Sequence, residues 1–268
     1  MPNYNTNQWL IFNYIIGAGG KFLANCFFQF DAVANWYASN LSKQQRSEIY
    51  INLLNNAKES WITTEPDQPW NLNFYSRAWP RGSTTSIEDF NRQVELTASD
   101  YFKQCWNNKQ VITDFWHKGY RPEFWNQATW ITINIDDIEL YKKILFSKTY
   151  TYDSKSLKVT SWDQSPSTGS LANLENKQKY QNQWQWENVT SIDDFINQEV
   201  KQLEWYATWN EHTVYTNTIN LTDLFNVDKL YGFITQFEDM FQESIDYNTI
   251  KQLQAAWSDA TLKRIHEL

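Results

Sequence analysis

The chain has 268 residues, enough for one large α/β domain or two small ones. Hydrophobic residues make up 41%, with 15 Trp, 15 Tyr and 16 Phe, so a sizeable core can form around aromatics. A net charge of −8 and a pI near 5.0 argue against broad binding to nucleic acid or an anionic membrane, while leaving room for a small basic pocket for one anion.

The polar start Met1–Gln8 has no basic-then-apolar leader and runs into an apolar stretch, Trp9–Ile16, that reads as a buried strand. Gly17-Ala18-Gly19-Gly20-Lys21 follows, holding three of the seven glycines of the chain. A helix is then expected over Lys21–Asn40, with Leu23, Phe27, Phe30, Ala34 and Tyr37 at helical spacing. A second helix is expected over Ser42–Glu59, with Ile49, Leu53 and Ala57 on its apolar stripe. The Pro- and Gly-bearing stretch Trp61–Ser83 reads as loop and carries Arg77 and Arg81.

Thr85-Ser86-Ile87-Glu88-Asp89-Phe90 is echoed by Thr190-Ser191-Ile192-Asp193-Asp194-Phe195, each close to a helix-starting capping box. Each leads to a Trp and then to a β-rich run, Val111–Thr113 and Val214–Thr216. A further strand is expected over Thr129–Ile135, then a helix from Asp136 or Asp137 to Ser147. The last strand spans Val214–Leu221, and an amphipathic helix carries Val227 to Phe241. The polar segment 153–187 reads as an excursion or lid over the active face. Helices alternating with strands predict an α/β fold: a three-layer sandwich around a central, mostly parallel sheet, forming a single domain over 1–268.

The two cysteines, Cys26 and Cys105, give neither a disulfide framework nor metal-ligand spacing, and no apolar run approaches the roughly 20 residues of a membrane span. The expectation is a soluble cytoplasmic protein without a metal, of unassigned oligomeric state.

A strand breaking into glycines and re-emerging as a helix is one way to make an anion cradle, because backbone N–H groups converge on phosphate oxygens at the positive end of the helix. A full GxxxxGK[ST] motif is absent: Ile15 stands at the first glycine and Phe22 at the Mg²⁺-ligating hydroxyl. The shorter pattern Gly17, Gly20, Leu23 suits a 5′-phosphate held by amides and one Lys without a metal. The alternative is a tight turn that uses glycine for geometry alone. His117, after a β-rich run, is suited to accept a hydroxyl proton, or else is a packed histidine among Phe115, Trp116 and Trp125. Asp136 and Asp137 are most simply helix N-terminal acids.

Gly17-Ala18-Gly19-Gly20-Lys21-Phe22-Leu23 resembles the 5′-phosphosulfate loop of the sulfotransferases, which share the P-loop NTPase-like fold. Val111–Lys118, with His117 leaving the strand end, resembles that family's strand with a general base; Trp130–Ser147 and Ile219–Leu224 resemble its third-strand and C-terminal elements. The resemblance implies 3′-phosphoadenosine 5′-phosphosulfate as cofactor, with Gly17, Ala18, Gly19, Gly20, Lys21 and Phe22 at its 5′ end. It also implies His117 and Lys21 as catalytic residues, and a small-molecule or carbohydrate acceptor. The family's third-strand Arg is missing, since the strand end reads Ile135-Asp136-Asp137. Ser147, Arg77, Arg81, Lys142 and Lys143 are the candidates left for the 3′-phosphate. The rival readings are a P-loop kinase or NTPase and a non-catalytic module of the same fold. The Asn-, Ile-, Lys- and Tyr-rich composition is in the style of AT-rich genomes and bacteriophage proteins.

Overall fold

The computed structural model describes residues 6–14, 18–34, 41–55, 88, 92, 100–116, 127–153, 158–161 and 217–266. Its centre is a four-stranded sheet of β1 (Trp9–Asn13), β2 (Ile112–Trp116), β3 (Thr129–Asn134) and β6 (Asn217–Asn220). All pairings are parallel and the strand order is β2-β1-β3-β6. Parallel neighbours require crossover connections; among the described residues α1 (Gly20–Phe27), α2 (Lys43–Asn55) and α3 (Asp100–Asn107) lie between β1 and β2, and α4 (Ile138–Thr149) between β3 and β6. The fold is therefore α/β. A separate antiparallel hairpin, β4 (Tyr150–Asp153) with β5 (Lys158–Ser161), follows α4. The rest of segment 153–187 lies outside the described residues.

β1 is apolar throughout except at its end, as expected of a strand covered on both sides. Its side chains alternate, Leu10, Phe12 and Tyr14 to one face and Trp9, Ile11 and Asn13 to the other. On the first face Phe12 meets Phe27 of α1 edge-on at 5.5 Å, and Phe27 in turn meets Phe237 at 5.0 Å. That core extends through Ile131, Ile133 and Ile219 of the sheet to Tyr50, Tyr141, Leu253 and Trp257 on the helices. Trp9, Ile11, Ile112 and Trp130 are buried too, so both faces of the sheet are covered.

Several helices differ from expectation. α1 stops at Phe27 instead of reaching Asn40. Arg46 of α2 donates from Nη1 to the Phe28 carbonyl at 2.8 Å and pairs with Asp31, holding the chain in a turn. Val111 then pairs with this stretch beside β2, its N–H donating to Ala32 O at 2.7 Å and its carbonyl accepting from Ala34 N–H at 2.8 Å. Phe30 and Ala34 stay buried at helical spacing without being helical, and Tyr37 lies outside the described residues. In α2 Arg46, Ser47, Tyr50 and Leu54 are buried and Ile49 is half-buried, while the Leu53 side chain and Ala57 of the expected stripe lie outside what is described. The C-terminal helix is broken into α5 (Val227–Ile234), a 3-10 turn (Thr235–Phe237) and α6 (Glu238–Phe241). Asn226 caps α5, its Oδ1 accepting from the N–H of Asp228 and Lys229 at 3.1 Å each.

The longest described helix, α7 (Tyr247–His266), was not expected from sequence. Its buried positions Ile250, Leu253, Gln254, Trp257 and Thr261 follow a three-and-four spacing. Cys26 and Cys105 are both buried, and burial pushes the Cys26 thiol well above its ordinary 9.0. No helix among the described residues is long and apolar enough to cross a membrane.

Candidate functional site

The chain leaves β1 for β2 on one side, whereas among the described strands it leaves β3 for β6 on the other. The carboxyl ends of β1 and β3 are thus a switch point, the position where open α/β sheets form a ligand crevice. The described part of the glycine turn, Ala18–Gly20, comes five residues after β1 in sequence and opens α1.

Gly17 lies outside the described residues, while Ala18, Gly19, Gly20, Lys21 and Phe22 stand together at the turn. Gly19 is the N-cap of α1 with φ +83°, a left-handed conformation that side-chain-bearing residues adopt at a cost. It offers no side-chain cap; its carbonyl takes the first helical bond, from Leu23 N–H at 3.0 Å. The N–H groups of Gly20, Lys21 and Phe22 have no acceptor among the described residues. Such orphan donors carry the positive end of the helix dipole and attract anions. Lys21 is half-buried, and its ammonium has no carboxylate partner among the described residues either.

The glycines also answer to packing. A Cβ on Gly20 would fall 2.1 Å from Cε1 of Tyr14, whose ring covers that side of the turn. A Cβ on Gly19 would meet Leu224 at 3.0 Å and the Trp257 ring at 3.1 Å. Trp257 stacks on Phe22, with ring centroids 4.4 Å apart and planes 4° from parallel. Phe22, at the position of the missing hydroxyl, is therefore part of the core.

The loop after β3 is occupied by its own hydrogen bonds. Asp137 Oδ1 accepts from Leu140 N–H at 2.9 Å and starts α4. Asp136 accepts from the hydroxyl and the N–H of Thr222, tying this loop to the one after β6. Asp136 is exposed; the slight desolvation it does feel pushes its carboxyl up, but the Thr222 hydroxyl and the backbone N–H donors outweigh this and hold the group below its ordinary 3.8. Asp223 is engaged by Lys229 at 2.6 Å, and this pairing raises the Lys229 pKa.

His117 follows the last residue of β2 and lies outside the described residues, as do Arg77 and Arg81. Ser147 belongs to the backbone of α4. Leu224 entered the sequence reading only as the end of the Ile219–Leu224 element, and Tyr14 and Trp257 had no signal beyond their aromatic character. No family model, no curated protein and no solved structure matches this chain.

Proposed function

We propose that the chain binds 3′-phosphoadenosine 5′-phosphosulfate at residues 17–20 and transfers its sulfuryl group to a hydroxyl or amine acceptor. One observation carries the reading: the donors of Gly20, Lys21 and Phe22 have no acceptor among the described residues, and they stand at the carboxyl end of a central parallel strand. These amides, with the Lys21 ammonium, fit the 5′ end of such a nucleotide. Lys21 neutralises charge on the bridging oxygen, and His117 takes the acceptor proton. The nucleotide supplies an activated sulfuryl group: the acceptor oxygen or nitrogen bonds to sulfur as the sulfur–bridging oxygen bond breaks, releasing adenosine 3′,5′-bisphosphate. In this reading the fold is the P-loop-like three-layer sandwich of the sulfotransferases. The loop after β3 offers carboxylates, so the 3′-phosphate falls to Arg77, Arg81 or Ser147.

Calorimetric titration of the full chain with adenosine 3′,5′-bisphosphate, without magnesium, tests this. Binding in the wild type is expected, with a loss of about 10-fold or more in Lys21→Ala, the scale of a hydrogen bond to a charged group. An unchanged melting temperature in the variant shows that only the site was altered. Absence of wild-type binding at millimolar nucleotide overturns the proposal.

The second reading is a non-catalytic module of the same fold. It is favoured by Tyr14, Leu224 and Trp257, which account for Gly19 and Gly20 by packing alone. A kinase or NTPase reading must do without a hydroxyl after Lys21, since Phe22 is buried there against Trp257.

A further inference from the structure

The last residue of β1, Asn13, is in register with Thr132 of β3, so the two side chains leave adjacent strands from the same face of the sheet. Both residues are almost wholly buried, at 4% and 5% exposure. Asn13 Oδ1 and Thr132 Oγ1 are buried, and neither has a hydrogen-bond partner among the described residues. Neighbouring strands lie about 4.8 Å apart, so one ligand group can reach both oxygens. A buried polar atom without a partner costs free energy, and two side by side in an otherwise apolar strand interior call for an explanation.

Their position supplies one. They straddle β1 and β3, the strands that define the switch point, and Asn13 comes four residues before Gly17. Two positions beyond Thr132 and on the same face, Asn134 is exposed, with its Nδ2 donating to Asn220 Oδ1 at 2.9 Å. The face that holds the pair therefore opens to solvent one step further along.

We propose that Asn13 and Thr132 form a neutral hydrogen-bonding floor of this crevice and take the ribose hydroxyl of a nucleotide held by the glycine turn. The pair carries no charge, so it suits a hydroxyl rather than a phosphate or sulfate. The ribose is the part of the ligand joined directly to the 5′-phosphate. In adenosine 3′,5′-bisphosphate the 2′-hydroxyl is the only ribose hydroxyl left free. This inference rests on the nucleotide reading above.

The test is a cycle between one protein oxygen and one ligand oxygen. Wild type, Thr132→Val and Thr132→Ser are titrated by calorimetry with adenosine 3′,5′-bisphosphate and with its 2′-deoxy counterpart. Thr132→Val keeps the shape and removes the oxygen; it is expected to weaken the first ligand roughly 3- to 10-fold, the scale of one buried hydrogen bond. The 2′-deoxy ligand is expected to lose a similar factor against wild type and nothing further against Thr132→Val. Thr132→Ser keeps wild-type discrimination between the ligands. The melting temperature of free Thr132→Val is expected to hold or rise, because an unpaired oxygen has been removed. Equal affinities across the cycle, or independent losses that multiply, overturn the inference while leaving the nucleotide reading in place. A Thr132→Val chain that melts lower or fails to fold also overturns it, since the hydroxyl then has a structural partner. No wild-type binding to either ligand removes the nucleotide reading and this inference together.

Discussion

Gly20→Ala separates what the glycine turn does for packing from what it does for an anion, because alanine keeps the backbone N–H and adds only a Cβ. That Cβ would sit 2.1 Å from Tyr14 Cε1, 2.2 Å from Cδ1 and 2.3 Å from Cζ, so the ring must move. Tyr14 is itself buried and belongs to the main core, so displacing it strains its neighbours. Overpacking of this kind costs about 1–3 kcal/mol, offset by about 0.5–1 kcal/mol from replacing glycine in a helix. A net loss of about 1–2 kcal/mol is expected, or roughly 2–8 °C in melting temperature for a chain of this size. The assay is a double-mutant cycle by chemical denaturation with Tyr14→Ala. Removing the ring opens space for the Cβ, so Gly20→Ala should cost nothing in that background, giving a coupling of about 1–3 kcal/mol. Gly232→Ala is the control: nothing lies within 4 Å of its Cβ position in α5, and a gain of about 0.5–1 kcal/mol is expected. Additivity of the Gly20 and Tyr14 changes to within about 0.5 kcal/mol would refute the packing argument.

Two further perturbations probe the elements that frame the turn. Trp257→Ala removes a fully buried ring that stacks on Phe22 and lies 4.7 Å from Phe225; a loss of about 3–5 kcal/mol is expected by chemical denaturation. A cost under about 1 kcal/mol would mean that α7 is not anchored there. Asp136 has a folded pKa below its ordinary value, so its contribution to stability is present above that value and disappears as pH falls through the folded one. Asp136→Asn should therefore flatten the acid limb of the stability–pH curve, by no more than about 1 kcal/mol because the group is exposed. An unchanged acid limb would contradict the Thr222 tether.

The strands were readable because both faces of the sheet are covered. β1 and β3 are runs of aromatic and β-branched residues, a pattern that burial on both sides demands. Their parallel direction was readable from helix-then-strand units along the chain. Helix ends were less readable because their causes are tertiary. Nothing local in Phe27–Ala34 announces that Arg46 will bind the Phe28 carbonyl, or that Val111 will pair with this stretch. The buried side of α2 was hard to read for the same reason: hydropathy excludes arginine from a core, yet Arg46 is buried because a carbonyl and Asp31 receive its guanidinium. α7 was missed since Ile250, Leu253 and Trp257 are diluted by polar residues; their spacing was the available signal.

The glycine turn is harder, because two different demands select the same letters. An anion needs backbone N–H groups free of Cβ obstruction, and so does a turn pressed against Tyr14 and Trp257. Sequence cannot separate them, since each asks for glycine at the same positions. What separates them is the other partner of each group: the Cα atoms of Gly19 and Gly20 face side chains, whereas the N–H groups of Gly20, Lys21 and Phe22 meet no acceptor among the described residues. The two demands therefore act on different atoms of the same residues and are compatible. Packing fixes the turn, and a turn fixed in advance presents its donors without paying to order them when a ligand arrives. On that argument Gly20→Ala should weaken adenosine 3′,5′-bisphosphate binding only as far as it displaces the turn, whereas Lys21→Ala should weaken it with the turn intact.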